Sequence, residues 1–234
     1  MLAGLDEARC AKAVDSAWRM LVDEQTGVVR LLTPPFDGDA VDPGYIRGYP
    51  KGVRENGAQY THAACWLLLA LIRRGDAGRA HRMLRMLLPT THSDTPEKAC
   101  IYRVEPYVMA ADVYDGAHAG RGGWTWYTGS AAWLYRCILE MIGFERQGMR
   151  VRVCALLGDW TEAAVTVQCG ASRYRLISRE DVHGIALDGE PVPGEWIELR
   201  DDGCDHEAVF PPRTPGQPDM QKPSGHLQKT AHVL

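Results

Sequence analysis

The sequence predicts a mainly α chain that ends in a small β domain. Three observations carry this. Apolar residues recur at helical spacing up to about Gly143, the period changes to two after Gly148, and polar, glycine- and aromatic-rich motifs lie between the helices. Helices apolar on nearly every face alternate with helices that show only a narrow stripe. That is the pattern of an α/α-toroid, in which inner helices are enclosed and the loops at one end carry the site.

Asp6 is placed to cap a first helix running to about Val22, with Ala11, Val14, Trp18 and Leu21 at helical spacing. Gly27-Val-Val-Arg-Leu-Leu reads as a short buried strand, stopped by Thr33-Pro-Pro-Phe-Asp because two prolines fix φ and remove donors. The helix from Ala58 to Arg73 is apolar on most faces and reads as an inner one. After a Gly75-Asp76 turn, Ala77–Leu88 carries a stripe of Ala80, Met83, Leu84 and Leu87, as an outer helix would. Pro89 to Pro96 reads as a polar loop, Tyr102–Val104 as a short extended piece, and Glu105–Tyr114 as a helix with Pro106 in its first turn. A last helix spans Ser130–Ile142.

The expected strands are Arg150–Leu156, Ala163–Gln168, Tyr174–Ser178, Gly184–Leu187, Trp196–Leu199 and His206–Phe210, separated by glycine turns. The expected domains are therefore 1–146, mainly helical, and 147–210, a small antiparallel β-sheet or sandwich. The proline-rich residues 211–234 are expected to form a disordered tail.

Composition narrows the function. A formal charge of −4 gives no reason to expect nucleic acid or an acidic membrane as partner. Seven scattered cysteines without a C-x-x-C pair suit reduced thiols rather than a disulfide framework or a zinc site. The longest apolar run, Ala63–Ile72, is far short of a membrane span, and the N-terminus lacks a signal-peptide pattern. These features predict a soluble, cytoplasmic chain with no membrane segment.

Two motifs concentrate the chemistry. The first is Gly48-Tyr-Pro-Lys-Gly-Val-Arg-Glu-Asn-Gly-Ala-Gln-Tyr-Thr-His62-Ala. It sets Arg54, Glu55, Asn56, Gln59, Tyr60, Thr61 and His62 at a helix entrance, where ordinary capping needs one polar residue. The second is Gly120-Arg-Gly-Gly-Trp-Thr-Trp-Tyr-Thr-Gly-Ser130. It ends with Thr128-Gly129-Ser130 at a helix mouth, where free N–H groups and the helix dipole favour an oxyanion such as phosphate. Aromatic rings for sugars, polar side chains for hydroxyls and a phosphate seat point to carbohydrate-phosphate chemistry.

With Leu31-Leu-Thr-Pro-Pro-Phe-Asp37 and Val104-Glu-Pro-Tyr-Val-Met-Ala-Ala-Asp-Val-Tyr114 added, the chain resembles the C-terminal part of the cellobiose/chitobiose phosphorylase family, glycoside hydrolase family 94. Within it, the likeness is to the phosphorylase-like region of cyclic β-1,2-glucan synthases, over about residues 1–210. The resemblance implies the C-terminal half of an (α/α)6 barrel followed by the β domain. It implies inverting phosphorolysis of a β-linked glucan, with inorganic phosphate as co-substrate, no cofactor and no metal, to give an α-sugar 1-phosphate. By motif position it makes His62, Thr128 and Gly129 the phosphate ligands and Glu55 a holder of the cleaved sugar. Arg54, Gln59, Trp124 and Tyr127 are the further candidates for the sugar wall.

The chemistry of these residues agrees. A histidine donates to phosphate near neutral pH, a glycine admits an oxyanion close to the backbone, and an ionised Glu55 accepts two hydroxyls. The family's general acid is an aspartate in a Trp-Asn-Asp-type motif, and no such triplet occurs here. The chain is thus expected to be part of a divided or longer enzyme, completed by the other half-barrel or by a second copy, and to be inactive alone.

A plain structural role competes at each position. His62 taken alone reads as a core histidine, Trp124, Trp126 and Tyr127 as barrel packing, and Thr128-Gly129-Ser130 as a helix cap. Glu55 has an ion pair with Arg54 as its alternative, and Glu105 reads as a first-turn acid. His81, His92, His118 and His183 read as surface residues. Asp112 and Asp115 are the only acids considered as stand-ins for the missing donor, without support from spacing. The other function classes are a non-catalytic carbohydrate- or phosphate-binding remnant and an α/α-toroid hydrolase, which needs a second carboxylate.

Overall fold

The computed structural model describes residues 6–38, 42–126 and 128–214, with the backbone but not the side chain of Thr128. Tyr127 and most of the expected tail, 215–234, lie outside the described residues. Helix α1 (Glu7–Leu21) begins where the Asp6 carboxylate accepts the Arg9 N–H at 2.9 Å. A small antiparallel pair follows, β1 (Val22–Asp23) with β2 (Val28–Val29).

Further along come β3 (Gln59–Tyr60), α2 (Thr61–Arg73) and α3 (Ala77–Leu87), the last two joined by a tight turn with Gly75 at φ 71°. Then follow α4 (Pro96–Tyr102), β4 (Asp112–Val113) and α5 (Thr128–Ile142). Val14, Leu68, Ile72, Met83, Cys137 and Met141 belong to a core shared by α1, α2, α3 and α5. Inner-helix enclosure is incomplete, because Trp66 on α2 is 50% exposed. Among the described residues no helix is long and apolar enough to cross a membrane.

Three helical expectations are corrected. The helix expected from Ala58 begins at Thr61, since Gln59–Tyr60 pairs antiparallel with Asp112–Val113. Between the loop expected to end at Pro96 and the extended piece expected from Tyr102 lies α4, which takes in one residue of each. Thr95 accepts the Lys98 N–H at 3.3 Å, Pro96 fills the first turn, and Arg103 ends the helix in the left-handed region at φ 59°. The helix expected over Glu105–Tyr114 is absent. Asp112–Val113 is drawn to β3 on one side, and Val113 bridges Gly122 on the other, so long-range pairing overrides the apolar pattern.

The β region holds β5 (Glu145–Gln147), β6 (Arg150–Arg152), β7 (Glu162–Cys169), β8 (Ser172–Arg179), β9 (Ile185–Leu187), β10 (Glu190–Val192), β11 (Ile197–Glu198) and β12 (Asp205–Phe210). Strands β5 and β10 were not expected. They form one sheet of order β10-β9-β12-β8-β7 and another of order β11-β6-β5. The β7–β8 register, Cys169 opposite Ser172, leaves a two-residue turn in which Gly170 takes φ 57°. The pairings are antiparallel except β12 with β8, which is parallel and corrects the all-antiparallel expectation. Val151, Tyr174, Leu176, Ile197 and Phe210 lie in the core of this region.

Two residues join the helices to the β region. His81, expected at the surface, is buried against Trp160, with a ring nitrogen 2.8 Å from the Leu156 carbonyl. Beyond β12, Arg213 donates its backbone N–H to Ala155 and its guanidinium to the Ile72 carbonyl at 2.6 Å. The expected tail is therefore held in place at its start.

His206 clasps two turns. Its Nδ1 lies 2.7 Å from Asp188 of the β9–β10 turn and its Nε2 3.0 Å from Asp202 of the β11–β12 turn, while its ring stacks on Tyr174 of β8. Ionised carboxylates only accept hydrogen bonds, so both nitrogens carry protons and the ring is an imidazolium. The bonds to Asp188 and Asp202 raise its pKa above the ordinary 6.5. The bond to His206 lowers Asp188, and lowers Asp202 to about 2.

The histidine's contribution is complete below its unfolded pKa and is lost as pH rises through the raised value. The aspartates' contributions are present above their ordinary 3.8 and are lost as pH falls through the lowered ones. Thermal unfolding followed from about pH 5 to about pH 9 is expected to show a midpoint falling at the alkaline end. His206→Gln should flatten that fall. An equal slope in both proteins would remove the clasp from the account.

Candidate functional site

The site is assembled by backbone pairing that joins the sequence motifs edge to edge. Arg30 bridges Gln59, and Leu31 N–H donates to Ala58 at 2.8 Å, which ties the proline motif to the first glycine motif. Asn56 is buried between them. It accepts the Phe36 N–H at 2.7 Å and donates to the Tyr49 carbonyl at 2.9 Å. Gly57, at φ 89°, lies so close to Pro35 that an added Cβ would come within 2.9 Å of its side chain.

On the other edge, β3 pairs with β4, and Thr61 N–H donates to Ala111 at 2.9 Å. Gly123 N–H then donates to the Asp112 carbonyl at 2.9 Å, and Trp124 N–H to the Asp112 carboxylate at 3.0 Å. Arg54, Glu55, Asp112 and Trp124 thus stand on neighbouring strands and loops, with His62 in the first turn of the helix that follows β3.

His62 begins the second position of α2, with Trp66 and Trp133 against its ring at centroid distances of 5.0 and 5.9 Å. Its Nε2 is buried without a hydrogen-bond partner. A Cβ built on Gly129 would lie 3.8 Å from His62 Nδ1, so the mouth of α5 and the imidazole are adjacent. Gly129 does not have a positive φ, and that contact is of ordinary length, so neither conformation nor crowding demands glycine there. The first N–H groups of a helix, those of Thr128 and Gly129 in α5, have no acceptor within the helix.

Arg54 adopts φ 50°, a strained conformation for a long side chain. Its guanidinium lies over Tyr49 and Trp124, 5.4 and 5.1 Å from the ring centroids. It approaches Glu55 at 3.7 Å, beyond a hydrogen bond, and both Arg54 Nε and Glu55 Oε2 are buried without one. The ion-pair alternative for Glu55 is therefore only loosely met. Trp124 is 52% exposed, so barrel packing does not consume it here.

Gln59 differs from the expectation of a sugar contact. It is buried, its Oε1 accepts the Val29 N–H at 3.1 Å, and its Nε2 donates to Thr61 Oγ1 at 3.3 Å. Its oxygen holds β2 to β3 and its nitrogen reaches the first residue of α2, which makes it a brace. Glu105 is not a first-turn acid, since no helix follows it. It accepts from Trp126 Nε1 at 3.2 Å, and Tyr107 packs edge-on against that indole.

Sequence reasoning gave Asp112 no role. It is 1% exposed, and its Oδ2 has no hydrogen-bond partner. Burial pushes its carboxyl above the ordinary carboxylate value and nearby Glu55 adds to this, while the Trp124 N–H and Arg54 oppose it. Asp115, the other acid considered, is engaged by Arg30. Among the described residues no cluster of three or more His, Cys, Asp or Glu side chains could hold a metal ion.

Comparison with known proteins gives matching results. Residues 1–143 match the family model described as the glycosyl hydrolase 94 superfamily, catalytic domain. The cyclic beta-(1,2)-glucan synthase NdvB of Rhizobium meliloti (strain 1021) is 45% identical over 190 residues, 80% of this chain and 7% of the relative. The solabiose phosphorylase of Paenibacillus borealis is 25% identical over 221 residues, 88% of this chain and 28% of the relative. The N,N'-diacetylchitobiose phosphorylase of Vibrio proteolyticus is 29% identical over 194 residues, 77% and 23% of the two chains. The chain spans well under a third of the length of each of these relatives.

Proposed function

The chain belongs to the glycosyl hydrolase 94 superfamily, and from that premise we propose that it carries the phosphate-binding side of an inverting glycoside phosphorylase or glucan synthase site. The observation that carries this reading is the adjacency of His62 to Gly129 at the mouth of α5, with a buried imidazole nitrogen that has no protein partner. An oxyanion there receives backbone N–H groups, the positive end of the helix dipole and a histidine donor together. Inorganic phosphate is the co-substrate, and no cofactor is required. The sugar is a β-linked glucan, in line with the cyclic beta-(1,2)-glucan synthase among the relatives.

In this reading Glu55 and Trp124 contact the ring that is cleaved, with Arg54 beside them. Residues 1–146 contribute to an (α/α)6 barrel, and residues 147–210 form its closing β domain. The half-exposed Trp66 and the exposed Tyr135 are surfaces that further barrel helices, or a second copy, would cover.

The test is phosphate titration of the chain followed by ³¹P NMR. His62→Ala is expected to weaken phosphate binding about tenfold, the scale of one charge-assisted hydrogen bond. His62→Asn should lose less, because it keeps a donor. Unchanged affinity in both variants would refute the assignment.

A further inference from the structure

We propose that Asp112 is a substrate-positioning residue, which with Glu55 offers two buried carboxylate oxygens to the hydroxyls of one glucose ring beside Trp124. The proposal rests on the reading above and adds a residue to its sugar subsite.

The Asp112 carboxylate has one structural duty, to accept the Trp124 N–H at 3.0 Å through Oδ1. An asparagine or a serine oxygen serves that purpose equally well. The second oxygen, Oδ2, is buried with no hydrogen bond, in a side chain that is almost wholly enclosed. Leaving a buried acceptor unmet is destabilising, and more so when it is charged. A fold that keeps a carboxylate at such a position gives up stability to hold an acceptor ready.

Its surroundings limit what the partner is. Gly123 lies flat against the carboxylate, and a Cβ there would fall 2.3 Å from Oδ1, so that side is closed by backbone. Arg54 and Glu55 lie within electrostatic range on the opposing turn, and each also has a buried polar atom without a hydrogen bond, Nε and Oε2. Two acceptors and one guanidinium donor around a half-exposed indole suit a neutral, hydroxyl-rich ring. They do not suit an anion, which two carboxylates would repel, and this separates the subsite from the His62–Gly129 end.

The test uses the full 234-residue chain and two probes measured separately, a β-1,2-linked glucose disaccharide and inorganic phosphate. Asp112→Asn preserves the acceptor for Trp124 and replaces Oδ2 by a donor. It is expected to lower disaccharide affinity about tenfold with phosphate affinity and the thermal midpoint unchanged. Glu55→Gln should give the same split. If Glu55→Gln weakens the disaccharide and Asp112→Asn does not, Asp112 only anchors Trp124, and the inference fails while the functional reading stands. If Asp112→Asn weakens both probes alike, its role is structural and the inference again fails. A wild-type chain that binds no disaccharide would remove both the subsite and the sugar half of the reading.

Discussion

Expressed as these 234 residues alone, the chain is expected to release no measurable sugar 1-phosphate from β-linked glucose disaccharides. Inverting displacement requires the leaving oxygen to be protonated as the bond breaks, and loss of a positioned general acid lowers the rate by about 10²–10⁴-fold. The two acids considered as substitutes are otherwise committed. Asp115 is engaged by Arg30, and Asp112 is enclosed and fixed by the Trp124 N–H. Incomplete walls around the sugar should lower the rate further through lost orientation. A coupled assay for sugar 1-phosphate checks this, with the chain alone and mixed with a separately expressed N-terminal half from a related enzyme. Activity only on mixing fits a divided site. Turnover by the lone chain at an ordinary rate would mean that a carboxylate within it serves as the acid.

Gly143→Ala should be among the most damaging single substitutions. Gly143 ends α5 with its N–H bonded to Leu139 at 2.9 Å, and it adopts φ 66°. A Cβ there would sit 2.0 Å from the Cys154 carbonyl oxygen and 2.6 Å from its carbon, and both are backbone atoms. Strain in the left-handed region costs about 1 kcal/mol, and overpacking adds about 1–3 kcal/mol. Against a total of about 5–15 kcal/mol for a folded domain, that is a large share. Gly148→Ala is the control. It has a similar φ of 63° with nothing within 4 Å, so only the conformational part should appear. Urea midpoints of the two variants that coincide would show that the Cys154 contact is relieved by a backbone shift.

Local signals made much of this legible. Asp6 and Asp76 cap the helices that follow them, and the alternation in Ala163–Gln168 and Tyr174–Ser178 marks the long β7–β8 hairpin. The differences at Glu105–Tyr114 and at the start of α2 share one cause, backbone pairing across distance. Glu105–Tyr114 has a helical composition, yet Asp112 and Val113 pair with Gln59 and Tyr60, some fifty residues earlier in the chain. The same pairing shortened α2 and hid Asp112, whose importance depends on neighbours that no spacing rule brings together. Gln59 shows the limit of sequence at the site, because a buried amide bonded at both ends looks in sequence like one free to bind. His81 was taken for a surface residue because its partner, the Leu156 carbonyl, lies beyond the last helix. For α4 the local signal is Thr95-Pro96-Glu97, a capping residue followed by a proline and an acid in the first turn.

The position of β12 bears on how the chain is made. This strand is the last of the described strands to be synthesised, yet it lies third in its sheet, parallel to β8 and antiparallel to β9. During translation β7 and β8 can pair as soon as they emerge, which leaves the inner edge of β8 open until residue 210 has cleared the ribosome. An open edge is a template for other nascent strands. Messages that stall or stop before Asp205 should therefore yield a product that is captured by chaperones or aggregates, even though every helix is already complete. A stop codon placed after Thr214, which frees β12 to pair and Arg213 to reach Ile72, should yield a soluble chain.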